Sequence, residues 1–130
     1  MNTEKLLLIG EDLFVLQSLS ELLKSWKFET IQTDNSEEAF QQIKQSKISC
    51  VLLDIGLSDE DGLELFKSIK TLDSSIQVIV MTAYPKDYNK NHFFSQNAVA
   101  FLIKPIQHSE LKRLLEVYTN SYKVNLTRGG

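Results

Sequence analysis

Two kinds of segment alternate along the chain. Short apolar runs bounded by polar turns occupy residues 6–9, 28–32, 50–53, 78–81 and 99–103, and they predict five strands. The first, third and fourth are continuously apolar, as parallel strands covered on both faces must be. The stretches between them carry apolar residues at three- and four-residue spacing. Leu16, Leu19, Leu22, Leu23 and Trp26 form one stripe, and Phe40 and Ile43 with Lys44 form a shorter one. Leu63, Phe66 and Ile69 with Lys70 make a third, and Leu111, Leu114, Leu115 and Tyr118 a last. Asn35, with Glu38 three residues on, predicts a capping box at the start of the second helix. Residues 86–96 predict the fourth of five helices, polar and anchored by Phe93 and Phe94, and the most mobile element. Five strand–helix units in alternation predict an α/β fold, an open doubly wound parallel sheet with right-handed crossovers.

At 130 residues the chain is long enough for one domain with a proper core. The expected domain is 1–122, with 123–130 as a disordered tail or the start of a linker, because the pattern loses its periodicity there. The 14 Lys and Arg against 17 Asp and Glu leave a net charge of −3, which argues against direct nucleic-acid contact. A single cysteine, Cys50, has no partner for an internal disulfide, and a reducing compartment is expected. No apolar run reaches the roughly 18 residues that span a bilayer, and no leader pattern opens the chain, so the expected setting is cytoplasmic and away from membranes.

In such a sheet, chemistry collects outside the carboxyl ends of the strands. There stand Gly10, Glu11 and Asp12 after the first strand, Asp54 after the third, Thr82 after the fourth, and Lys104 and Pro105 after the fifth. Neighbouring acids repel a phosphate unless a divalent cation enters first. Magnesium suits them, since it needs only one or two carboxylates and keeps waters. Asp54 then has the character of a nucleophile that forms an acyl phosphate, with Lys104 and Thr82 as partners for the phosphoryl oxygens. Each residue taken alone has a plainer reading. Asp54 suits a turn, Glu11 and Asp12 suit a helix first turn, and Phe101 suits sheet packing. His92 and His108 lack partners at ligand spacing and read as surface residues, and Cys50 reads as a small buried hydrophobe.

Five pieces in order carry a family resemblance: Leu7-Leu8-Ile9-Gly10-Glu11-Asp12, Val51-Leu52-Leu53-Asp54-Ile55-Gly56-Leu57, Asp61-Gly62-Leu63-Glu64-Leu65, Val78-Ile79-Val80-Met81-Thr82-Ala83 and Ala100-Phe101-Leu102-Ile103-Lys104-Pro105. Over about residues 5–118 the chain resembles a response-regulator receiver domain of two-component phosphorelay signalling. The resemblance implies a flavodoxin-like sheet of order 2-1-3-4-5. It implies Asp54 as phosphoacceptor, with catalytic support from Thr82 and Lys104. Thr82 and Phe101 match the switch residues. Mg2+ would be held by Glu11, Asp54 and the backbone carbonyl of Gly56, with Asp12 as a further candidate. The Lys104–Pro105 bond matches one that is typically cis. The implied partner is a sensor histidine kinase or a phosphotransfer protein. The implied switching and homodimer surface joins the fourth predicted helix, the fifth strand and the fifth predicted helix. An output domain, absent from these residues, would commonly control transcription. The only catalysis implied is phosphoryl transfer to itself and hydrolysis of its own acyl phosphate.

Three departures stand out. The family usually has two adjacent acids after the first strand, and here Gly10 replaces the first while Glu11 stands where aspartate is commonest. Ser58 replaces a common proline. Gly56 and Tyr84 occupy the positions that tune acyl-phosphate hydrolysis. The alternative function is a pseudo-receiver that binds a partner without phosphorylation, and Gly10 is the feature that favours it. Enzymes on the same architecture fit less well. A flavin site would not place acids after the first strand, and an aspartate phosphatase needs a second acid where Gly56 stands.

Overall fold

Side chains along a strand point alternately to opposite faces, and the two faces of this sheet are sorted accordingly. The computed structural model describes residues 5–55, 59–83 and 98–119. The strands are β1 (Lys5–Ile9), β2 (Thr30–Thr33), β3 (Ile48–Asp54), β4 (Gln77–Thr82) and β5 (Ala100–Ile103). They form one sheet of order β2-β1-β3-β4-β5, with every neighbouring pair parallel. The helices among the described residues are α1 (Leu13–Ser25), α2 (Ser36–Gln45), α3 (Asp59–Leu72) and α4 (His108–Tyr118). Five helices were expected, and the predicted one at 86–96 lies outside the described residues, as do the 123–130 tail, His92 and Tyr84.

Leu7, Ile9, Val51, Leu53, Val78 and Val80 face one way and bury against Ala39 and Ile43 of α2 and Phe66 and Ile69 of α3. Leu6, Leu8, Cys50, Leu52, Ile79 and Met81 face the other way, against Leu16 and Leu23 of α1 and Leu111, Leu114 and Leu115 of α4. This two-sided burial is why those strands read as unbroken apolar runs. Cys50 is wholly buried, and desolvation pushes its thiol up to about 12. Among the described residues no helix is long and apolar enough to cross a membrane.

Polar side chains fix the contacts and ends of several elements. Ser20 of α1 shares a 2.6 Å hydroxyl–hydroxyl bond with Thr30 of β2. The expected cap at Asn35 is present, its side-chain oxygen accepting the Glu38 N–H at 2.7 Å. Between α3 and β4, the Asp73 carboxylate accepts both the hydroxyl and the N–H of Ser75, and these bonds hold its carboxyl below the usual range. Trp26, at the end of α1, meets the His108 ring edge-on at 6.4 Å and the Lys112 ammonium at 5.7 Å, which fastens α1 to α4.

The second strand begins two residues later than its apolar pattern predicts. Lys27 sits in the left-handed region at φ 73°, and its N–H bonds the Lys24 carbonyl while the Phe28 N–H returns to the Leu23 carbonyl. Phe28 therefore closes the helix and packs its ring on the α1/α4 core instead of starting the ladder.

Two outcomes test these features. Replacing Lys27 by Gly removes a side chain from the left-handed region and should stabilise the protein by about 1 kcal/mol, read as a higher urea midpoint. Because only the thiolate alkylates, native Cys50 should resist iodoacetamide at pH 8 and react promptly once urea unfolds the chain.

Candidate functional site

Parallel register brings the ends of β1, β3, β4 and β5 to one rim. Asp54 is opposite Met81, and Thr82 is opposite Ile103. The Ile55 N–H then bonds the Met81 carbonyl at 2.9 Å, and the Lys104 N–H bonds the Thr82 carbonyl at 2.8 Å. Each chain leaves its strand still pinned to its neighbour, so the side chains that follow are positioned by backbone bonds.

On that rim the Lys104 ammonium lies 2.8 Å from one carboxylate oxygen of Asp54 and 2.8 Å from the other. The Asp54 side chain is 7% exposed and that of Lys104 29%, so the pair is shielded on the carboxylate side and open at the ammonium. Thr82 is fully buried at the end of β4. Phe101 pairs across the strands with Val80 and packs on the same core as Val78 and Val80, so it shares the face onto which alternation directs Thr82. The Lys104–Pro105 bond is cis.

Gly10 is buried directly beside Asp54. A Cβ placed on it would stand 3.0 Å from the Asp54 Cβ and 3.3 Å from Leu16 Cδ2. The sequence registered this glycine only as a missing acid, but in the fold it also sets how closely the ends of β1 and β3 approach. Asp12 was a candidate metal ligand. In the structure it is the N-cap of α1, and its Oδ1 accepts the N–H groups of Phe14 at 3.0 Å and Val15 at 3.3 Å. Its carboxylate is therefore turned toward the helix. Glu11 is exposed between the two. Gly56 and Ser58 lie outside the described residues.

Among the described residues, Asp54 and the exposed Glu11 are the rim acids not bonded to a helix N-terminus, and no group of three or more His, Cys, Asp or Glu could hold a metal. All-oxygen donors with room for water suit magnesium, and they do not suit zinc, which takes nitrogen and sulfur. Sequence reasoning also missed what flanks the pair. Phe14, in the first turn of α1, is 86% exposed, and beside it a cavity of about 490 Å3 runs between α1 and the β5–α4 connection past Lys104 and Pro105. An apolar pair, Leu13-Phe14, directly after the acids was the available sign.

The family model described as "Response regulator receiver domain" matches residues 6–116. The chain is 30% identical over 110 residues to the transcriptional regulatory protein ZraR of Klebsiella oxytoca, covering 85% of this chain and 25% of that protein. It thus spans a quarter of that relative's length. It is 27% identical over 118 residues to the sporulation initiation phosphotransferase F of Bacillus subtilis, covering 91% of this chain and 95% of that one. A crystal structure of a two-component response regulator from Clostridium difficile is similar to it with a TM-score of 0.81 and 26% identity, covering 90% of this chain and 95% of that one.

Cap and contact are separable by substitution. Asp12→Ala should lower stability by about 1 kcal/mol through the lost cap. Gly10→Val should cost ~1–3 kcal/mol by driving a side chain into Asp54 and Leu16. Urea denaturation measures both.

Proposed function

The chain belongs to the family of response regulator receiver domains of two-component systems, and from that premise we propose that Asp54 is its phosphoacceptor, loaded by a sensor histidine kinase or a phosphotransfer protein. The observation that carries this is the Lys104 ammonium held 2.8 Å from both oxygens of a nearly buried Asp54. An Asp54 oxygen attacks the donor phosphorus, the donor's bond to phosphorus breaks, and an acyl phosphate forms. Lys104 already stands where the charge of the phosphoryl oxygens develops, and Thr82 follows at the next strand end as a hydroxyl donor. When bound, Mg2+ held by Asp54, Glu11 and the Gly56 carbonyl would neutralise phosphoryl charge. Asp12 remains the cap of α1.

The switch follows from the same geometry. A phosphoryl group on Asp54 gives Lys104 and Thr82 a new anionic partner, and movement of Thr82 bears on Phe101, two register positions away on the same face. The surface it biases is the one built on β5 and α4 with the predicted 86–96 helix. It would serve as a partner or homodimer contact, and in a longer protein it would act on an output domain that controls transcription. The domain turns over no substrate beyond its own acyl phosphate, works in the cytoplasm, and leaves nucleic acid to any output domain.

A pseudo-receiver that binds its partner without phosphorylation is the second reading. It is favoured by Gly10, which removes one of the family's paired acids beside Asp54. The two readings part in one experiment. Incubation with acetyl phosphate and magnesium should add one labile phosphoryl group to the wild type by intact mass, and none to Asp54→Asn. With Gly10 in place of one of the paired acids, loading should also need more magnesium than a receiver with both acids needs. An unmodified wild type under conditions that load such a receiver would leave the pseudo-receiver standing.

A further inference from the structure

Two exposed features lie on opposite layers of the molecule. On the α1 layer, Phe14 is 86% exposed and Leu13 56%, and neither belongs to the apolar cluster that α1 shares with α4. Glu11 and Asp12, just before them, are exposed too. Asp12 caps α1 through Oδ1 and still offers Oδ2. The result is an apolar knob with two carboxylates beside it.

On the other layer, α2 and α3 flank a groove of about 470 Å3. Phe40 and Lys44 stand one turn apart on α2, as Lys67 and Thr71 do on α3, where Leu72 follows. Phe40 packs partly on the core and Leu72 is 38% exposed, so the groove has an apolar floor open to water. Lys44 and Lys67 stand on its two sides, and among the described residues neither ammonium has an ion-pair partner. The acids of α2 and α3 all lie nearer the amino ends of those helices, and Asp73, just beyond Leu72, is bonded to Ser75. The groove is therefore apolar at its floor and positive at its sides.

We propose that this groove receives the Leu13-Phe14 corner of a second copy of the chain, in a head-to-tail contact. The ring then leaves water against Phe40 and Leu72, and Glu11 and Asp12 meet the two lysines that lack partners. A two-fold pair of grooves would bring lysines together and leave both floors unfilled. Knob and groove are different patches, so the contact is heterologous: each copy keeps one of each free, and assembly grows as an open chain. Phe14 and Lys104 line one cavity, so the contact forms at the edge of the Asp54 rim, and the β5–α4 surface stays free. A contact this small is weak, with an expected dissociation constant of about 0.1–1 mM.

Sedimentation velocity on the full chain, from about 10 μM to about 1 mM, reads the association directly. The average mass of the wild type should rise with concentration and fall back when salt is added. Phe14→Ser leaves a groove without a knob, and the double variant Lys44→Glu/Lys67→Glu leaves a knob without a groove. All these positions are exposed, so the fold is kept. Each variant alone should stay monomeric, while an equimolar mixture should form a dimer and stop there, because only one knob and one groove remain. A wild type that stays monomeric throughout the range, association that survives in either variant, or a mixture that forms no dimer would each overturn the proposal. Survival in both variants would assign self-association to the β5–α4 surface instead.

Discussion

Lys104 and Asp54 are fifty residues apart in sequence, yet the ammonium sits 2.8 Å from each carboxylate oxygen. A carboxylate as buried as that of Asp54 needs a charged or hydrogen-bonding partner. Lys104 provides it from a backbone already pinned to β4 through the Thr82 carbonyl. The ammonium keeps some contact with water, so the pair has a shielded side and an open side.

What brings the two groups together is the order of the strands. β1 and β4 both flank β3, so Asp54 emerges between Gly10 on one side and the β4 end on the other. Two hydrophobic layers hold that order. One is shared with α2 and α3 and the other with α1 and α4, and neither face of the sheet can shift register without exposing a whole row of aliphatic side chains. The rim is precise because the interior beneath it is close-packed on both sides.

Gly10 and Asp12 show how the acidic turn divides its work. Read as a string, Gly10-Glu11-Asp12 is an acid cluster weakened by one substitution. In three dimensions its members face different neighbours. Gly10 packs on Asp54, Glu11 is exposed, and Asp12 caps α1. A side chain at this position would have to displace Asp54 or Leu16.

The strands, the α1, α2, α3 and α4 stripes and the rim residues were legible because parallel strands buried on both faces must be apolar throughout and amphipathic helices must repeat near every 3.6 residues. The same local rules place Asp54, Thr82 and Lys104 at strand ends, since the apolar run stops there, and the family pattern supplied their pairing. The start of β2 was misread because Phe28 is apolar for a different reason, packing under a left-handed Lys27 that no periodicity announces. Only tertiary structure decided that Asp12 faces the helix and that Gly10 touches Asp54. Each of these depends on distances between segments remote in sequence, and the identity of a residue does not encode which neighbour will stand within 4 Å of it.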